Sequence, residues 1–323
     1  MKFTAINAKI WSRLGSCGAL GLSLIEAAQN DERVVAVTAD LQFYSGLDRF
    51  AGKFPERMYN VGIAEQDMVD VAAGMAKEGL IPFATTYGTF ASTRASDQVR
   101  VSMGYMGLPV KLVGLTSGLS VGILGPTHIS LEDLAIMRSI PNITILSPAD
   151  CTETCKAVLA AAEMDGPVYL RLTGTLNNPI VYSGDYDFEV GRSIVLREGS
   201  DIAIIATGTM VYNSLKAADT LQEQGYSVKV IDMHTIRPLD VDALQACLDA
   251  KLIVTVEEHG VVGGLGSAVA ETLAPIRVKP PQLIIGCECR YEHAGDYPYL
   301  IERYGLTSEA IAQKILDVLD KLQ

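Results

Sequence analysis

The chain has 323 residues, 49% of them hydrophobic and 20% charged, a globular composition that excludes a disordered or fibrous protein and suffices for about two domains. Aspartate and glutamate number 38 against 26 lysines and arginines, so the formal net charge is -12, and no basic block marks a surface for nucleic acid. No apolar stretch runs the roughly 18 uninterrupted residues needed to cross a bilayer. The six cysteines (Cys17, Cys151, Cys155, Cys247, Cys287, Cys289) form no paired CxxC zinc spacing, and a chain this long needs no disulfide staples, so the expected compartment is reducing cytoplasm.

In chain order, Lys2, Lys9 and Arg13 ahead of the apolar run Leu14–Ile25 imitate a secretory signal. No small-residue cleavage site precedes Glu26, however, and Leu20, Leu24, Ala27 and Ala28 share one helix face, so the segment reads as a helix. Val34–Thr38 is a buried strand ending at Asp40. Gln66–Lys77 is a helix with Met68, Val71, Ala72 and Met75 inward. Val110–Leu115 is a strand, Leu131–Arg138 a helix, and Ile143–Leu146 and Val168–Leu172 are further strands. The polar segment Asn177–Glu189 breaks the pattern and reads as a linker or crossing loop. A second unit follows: strand Ile202–Thr207, a helix from Asn213 to Gln224 stopped by Gly225, strand Val228–Asp232, strand Leu252–Val256, a glycine-rich turn (Gly260, Gly263, Gly264, Gly266), helix Ser267–Leu273 and a closing helix Ser308–Leu322. Short β-branched strands alternating with helices predict an α/β fold of two doubly wound domains with mostly parallel sheets, covering residues 1–185 and 186–323.

Four segments carry candidate chemistry. Tyr59 to Gln66 is a turn with Glu65 at the start of a helix; its bland reading is an acid stabilised by the helix dipole. Tyr87-Gly88-Thr89-Phe90 is an aromatic loop at a strand end, where a core aromatic is the ordinary answer. Gly122 to His128 is a Gly-Pro turn holding Thr127 and His128, and a lone histidine is more often structural than catalytic. Glu257-Glu258-His259 precedes GVVGGLG, which has neither the GxGxxG spacing of a dinucleotide site nor a P-loop pattern; close helix–strand packing explains it better.

Their order and spacing are more informative than any one of them. YNVGIAEQDM, TYGTFASTRASDQVR, GILGPTHISLEDLAIMRSIPNITILSPAD and VEEHGVVGGLGSAVAE together resemble the transketolase family, and most closely the C-terminal subunit of a split, two-chain transketolase, from about residue 10 to residue 320. The resemblance implies a pyrimidine-binding domain followed by a transketolase C-terminal domain, and thiamine diphosphate as cofactor. In that family the glutamate of the GIAEQ turn, here Glu65, holds N1′ of the aminopyrimidine. That contact favours the imino tautomer, whose exocyclic nitrogen takes the proton from thiazolium C2. Phe90 matches the aromatic that stacks on the pyrimidine, Asp40 and Ile63 fall beside the cofactor cleft, and Arg94 and Gln98 support the Phe90 loop. His128 matches the histidine that serves the substrate's proton transfers.

The GDG-plus-asparagine motif that binds Mg²⁺ and the diphosphate is absent from the sequence; Gly184-Asp185 and Gly295-Asp296 both run into tyrosine. The resemblance therefore implies an N-terminal diphosphate-binding partner subunit carrying Mg²⁺, in an α2β2 heterotetramer. Three substrate positions depart from the family: Leu124 replaces an acid that reads an acceptor hydroxyl, Thr116 replaces a phosphate-binding histidine, and the arginine expected near Gly174 is missing, with Arg171 lying just before it. Arg13 aligns with a phosphate-binding arginine. Losing two charge-assisted donors, each worth roughly 1.5–3 kcal/mol, disfavours the ordinary pentose phosphate and points to an unusual sugar phosphate or sulfonated ketose, from which a two-carbon ketol unit passes to an aldose. A related thiamine diphosphate synthase or 2-oxoacid decarboxylating enzyme, and a non-catalytic scaffold, are the alternative readings.

Overall fold

The computed structural model describes residues 1–322. Twelve strands form two sheets: β1 (Val34–Thr38), β2 (Met58–Asn60), β3 (Ile81–Tyr87), β4 (Lys111–Leu115), β5 (Thr144–Leu146), β6 (Val168–Arg171), β7 (Ile194–Arg197), β8 (Ile202–Ala206), β9 (Val228–Asp232), β10 (Thr235–Arg237), β11 (Leu252–Gly260) and β12 (Gln282–Cys287). The first sheet has the order β10-β5-β6-β4-β3-β1-β2 and the second β12-β11-β8-β9-β7. Every pairing is parallel except β10 on β5 and β7 on β9. Strands β1, β4, β6, β8 and β11 are buried along their whole length, as parallel strands covered on both faces must be. This is the expected α/β architecture.

The long first helix, Ala5–Asn30, contains the predicted run and extends it at both ends. It kinks at Gly15, where φ is +72° and a Cβ would lie 3.0 Å from the Thr175 carbonyl oxygen, so only glycine lets the helix approach the end of the first unit. Helix Glu65–Lys77 buries Val69, Ala73 and Ala76 beside Met68 and Ala72, while the predicted Val71 and Met75 are half-buried. The inner face is therefore rotated toward smaller side chains. Helix Cys151–Glu163, capped by Asp150, escaped the pattern reading because its CTETCK start is polar, yet most of its first half is buried. Among the described residues no helix is long and apolar enough to cross a membrane, and all six cysteines are free.

The two sheets are not independent. Strand β10 lies beyond the linker in sequence but completes the first sheet, with Thr235 opposite Leu146 and Arg237 opposite Ile145. At three residues it is too short to be read from pattern. One hydrophobic cluster also runs through both units, joining Ile145 and Tyr169 to Ile205, Ile231 and Met233. The segment 177–189 has no helix or strand, as expected, but it is firmly tied. Asp150 Oδ2 accepts the Val181 and Tyr182 N–H groups, Tyr182 stacks on Tyr186 at 4.0 Å, and their hydroxyls donate to Asp232 Oδ2 (2.6 Å) and Glu153 Oε1 (3.1 Å).

Burial pushes the Asp232 carboxyl up to about 7, and burial together with the nearby Asp232 charge pushes Glu153 well above its usual range. Because the folded state holds a proton that the unfolded chain releases near pH 4, the stabilisation is complete in acid and lost as pH rises from about 4 through about 7. Asp232→Asn is expected to flatten the fall in unfolding temperature across that interval. An unchanged slope in thermal melts at pH 4.5, 6 and 7.5 would show that the acid pair does not titrate with folding.

Candidate functional site

Ligands of open parallel sheets bind beyond the carboxyl ends of the strands, and most of the singled-out residues gather there. Asp40 follows β1, with φ at +59°. Its backbone N–H and that of Gly62 both donate to Asn60 Oδ1, at 3.1 and 2.9 Å, and Asn60 Nδ2 returns a hydrogen bond to Asp40 Oδ1 at 3.0 Å. Asn60 thus knots the end of β1 to the turn that delivers Glu65. Asparagine in a turn gave no sequence signal that separates this role from ordinary turn chemistry.

Glu65 is the first residue of its helix and only 3% exposed. It does not cap the helix: its Oε1 accepts from Arg94 Nη1 at 2.7 Å, and among the described residues nothing donates to its other oxygen. Arg94 comes from the segment after β3. There the chain turns through Gly88, where a Cβ would lie 2.2 Å from Ser117 Oγ, into a π-helical turn over Phe90–Arg94 closed by Ala95 N–H to Phe90 O. Such turns are rare and often mark functional sites. This one sets the Arg94 guanidinium 4.0 Å over the Phe90 ring while it reaches Glu65. His128 approaches edge-on, 5.2 Å from Phe90 and 5.7 Å from Tyr87, with Nδ1 sharing a hydrogen bond with Thr127 Oγ1 at 2.9 Å. Burial raises the Tyr87 phenol above its ordinary value, so it stays protonated.

Glu65, Arg94, Phe90 and His128 therefore form one chain of contacts, with Tyr87 as a member that the sequence pattern places in the core. The remaining expected residues stand apart from it. Ile63 lies in the turn before Glu65 but is 77% exposed, and Leu124 is 46% exposed in the 3₁₀ turn Gly122–Thr127. Arg13 is exposed and forms no ion pair or hydrogen bond among the described residues. Gln98 makes no hydrogen bond to the Phe90 segment; its Oε1 is buried without a partner. Thr116, with φ at +45° and a buried, unpartnered Oγ1, lines a cavity of about 240 Å³ with Ser16, Cys17, Tyr44, Ser120 and Thr175. No charged side chain lines that cavity, and burial pushes the Cys17 thiol up to about 11, so it is neutral.

Two features of the sequence resolve as structural. Arg171 is fully buried and bound through Nε and Nη2 to Asp133 at 2.7 and 3.1 Å, which leaves it no part in holding a substrate anion. The glycine-rich turn does expose helix N-terminal amides, but they already hold an anion. Leu265 and Gly266 N–H donate to Glu257 at 2.6 and 2.8 Å, and a Cβ on Gly264 would collide with that same carboxylate. Among the described residues no group of three or more His, Cys, Asp or Glu is placed to hold a metal ion.

Residues 16–178 match the family described as "Transketolase, pyrimidine binding domain", and residues 191–311 match "Transketolase, C-terminal domain". The chain belongs to the transketolase family. A 6-deoxy-6-sulfo-D-fructose transketolase subunit from Clostridium sp. (strain MSTE9) is 40% identical to this transketolase chain over 301 residues, covering 92% of each. An apulose-4-phosphate transketolase subunit from Phocaeicola vulgatus is 37% identical over 301 residues, covering 93% of this chain and 96% of its own. Among solved structures, a split-gene transketolase described as an inactive β4 tetramer superposes with a TM-score of 0.85 at 38% identity, over 95% of this chain and 99% of that one.

The free oxygen of nearly buried Glu65 and the Phe90 ring, linked through Arg94, supply what an aminopyrimidine requires: an acceptor for a ring N–H and an apolar face. The residues of this transketolase chain fit the pyrimidine half of thiamine diphosphate. Asn60→Ala is expected to loosen the turn ahead of Glu65 while costing about 1–2 kcal/mol of stability. Amide hydrogen exchange at Gly62–Ala64 should accelerate; exchange as slow as in the parent chain would show that Asn60 does not hold the turn.

Proposed function

We propose that this chain is the C-terminal subunit of a thiamine diphosphate-dependent, split transketolase that moves a two-carbon ketol unit from a ketose to an aldose. The observation that supports this reading is the Glu65–Arg94–Phe90–His128 assembly, which suits a pyrimidine half-site, in a chain whose sequence lacks the GDG-plus-asparagine diphosphate motif. The two units dividing near residue 185 correspond to the pyrimidine-binding and C-terminal domains. The other half of the site, with Mg²⁺, comes from an N-terminal diphosphate-binding transketolase subunit, in an α2β2 heterotetramer in the cytoplasm.

When bound, the cofactor supplies the carbon nucleophile that attacks a ketose carbonyl. Glu65 offers its unpartnered oxygen to the pyrimidine N1′ proton, and Arg94 holds the other oxygen so that the carboxylate keeps its aim. Phe90 provides the stacking face, and Asp40 and Ile63 lie at the turn that delivers Glu65. His128, its Nδ1 engaged by Thr127, keeps Nε2 for exchanging a proton with a substrate hydroxyl. Thr116 lies in an uncharged cavity whose lining adds Leu14 and Leu176 to hydroxyls and a neutral thiol, with Arg13 next to Leu14 in sequence. Such a lining suits a ketose whose anionic group is not the terminal phosphate of an ordinary pentose. Two relatives are named for such sugars, 6-deoxy-6-sulfo-D-fructose and apulose-4-phosphate.

Co-purification with an N-terminal transketolase subunit, followed by thiamine diphosphate and Mg²⁺ titration of the chain alone and of the pair, tests the reading. Only the pair should bind the cofactor, and Glu65→Gln should lower ketol transfer by at least roughly a hundredfold. Full cofactor binding by the isolated chain would overturn the two-chain site, and pyruvate turnover with release of CO₂ would assign the chain to decarboxylating chemistry. Leu124→Asp is expected to shift kcat/KM toward 2-hydroxyaldoses by roughly tenfold, the effect of one added hydrogen bond to a charged group; an unchanged ranking of acceptors would remove Leu124 from specificity.

A further inference from the structure

Glu258 lies at the end of β11, one residue past Glu257, so alternation sends its side chain to the opposite face of the strand. While Glu257 serves its own helix, Glu258 reaches out of the second unit into the first. Its Oε1 accepts the Leu119 backbone N–H at 2.6 Å, and its Oε2 accepts the hydroxyls of Thr209 and Tyr297, each at 2.6 Å. The carboxyl is buried, and all three donors are uncharged. Leu119 is the first residue of the loop that carries the Gly122–Thr127 turn and His128. The feet of that loop are pinched together by paired hydrogen bonds between Gly118 and Ser130, both at 3.0 Å. No side chain fits at its base except that of Glu258: a Cβ on Gly118 would lie 2.4 Å from Glu258 Oε1. Further along, the loop leans on the second unit again. Gly295 N–H donates to Gly122 O at 3.2 Å, and a Cβ on Gly122 would lie 2.1 Å from Leu300 Cδ1.

The loop bearing His128 is therefore seated on the second unit at two points, and the carboxyl of Glu258 is the only side-chain group among the described residues that hydrogen-bonds its first residue. We propose that Glu258 is a positioning residue for ketol transfer: by gripping the Leu119 amide from the C-terminal unit, it sets where His128 stands at the substrate end of the cleft. This assignment rests on the functional reading given above for His128. It makes the C-terminal unit, which touches none of Glu65, Arg94 or Phe90 through a hydrogen bond, a determinant of substrate handling.

The test uses the assembled pair and three variants of this chain: Glu258→Ala, Glu258→Gln, and the double variant Thr209→Val with Tyr297→Phe, which leaves the carboxyl in place without its two hydroxyl anchors. Hydrogen exchange over residues 118–129 should rise roughly tenfold or more in Glu258→Ala, with strands β6 and β8 unchanged as internal controls. The KM for the ketose donor should rise by a similar roughly tenfold factor, while cofactor affinity, set by Glu65 and Phe90, stays at the parent value. Glu258→Gln should restore most of the loss, since its amide oxygen still accepts from Leu119 and its amide nitrogen donates to either hydroxyl. Parent-like exchange and KM in Glu258→Ala would overturn the proposal, as would a defect spread evenly over controls and loop. If Glu258→Ala does not fold, the double variant decides by the same two readouts. A wild-type pair that transfers no ketol unit would sink the functional reading instead, and the exchange measurement would still report on the grip.

Discussion

The arrangement of both units depends on one buried ion pair. Arg171, at the end of β6, and Asp133, at the start of the helix Asp133–Ser139, are sealed from water where the first unit meets the second. Two hydrogen bonds between them are supplemented by Tyr169 O–H to Asp133 at 2.8 Å and by Arg171 Nη2 to the Glu258 carbonyl at 2.9 Å. Burial opposes the Asp133 charge, but Arg171 and His259 outweigh it and hold the carboxyl below its usual range. A charge so deeply buried is tolerated only with its partner, and removing either would leave several kcal/mol of uncompensated desolvation, about 3–5 kcal/mol in comparable pairs. The pair thus fixes the orientation of β6, of the helix that follows the His128 loop, and of β11 relative to one another. Of the candidate site, it is the loop carrying His128 that leads directly into this grouping, through the helix Asp133–Ser139.

Much of this was readable from the residues. Strands β1 and β9 and the last helix fall on the runs that hydrophobic pattern assigns, because β1 is wholly buried, β9 is buried except at Lys229, and the helix is amphipathic. What escaped did so for identifiable reasons. β2 and β10 are three residues each, too short for a period to stand out. The π-helical turn at Phe90–Arg94 has the sequence FASTR, which carries no mark of an i→i+5 register. Of the site, Glu65, Phe90, Arg94 and His128 were legible only through the order of their motifs. Residue by residue, each had an ordinary structural explanation. Asn60 and Tyr87 were invisible because the first works through backbone amides and the second through ring packing.

The departures at Thr116, Leu124 and Arg171 take on physical meaning in the structure. A buried arginine already neutralised by aspartate supplies no net field to a substrate anion, and the cavity beside Thr116 is lined by apolar side chains, hydroxyls and a neutral thiol, without charge. An uncharged cavity of this kind offers a ligand shape and local contacts rather than long-range attraction. The overall charge of -12 points the same way, because an acidic surface does not draw anionic sugars by steering.

Strand β10 has a bearing on how the chain is made. During synthesis β1 to β6 can emerge and pair, yet the edge of that sheet at β5 stays bare until residues 235–237 leave the ribosome and lie against it. An uncovered edge strand is a template for pairing with other chains, so the nascent first unit passes through an interval in which that edge is open. Production of this protein therefore depends on translation and chaperoning bridging the long stretch between β6 and β10, and a chain truncated at the linker would carry that exposed edge permanently.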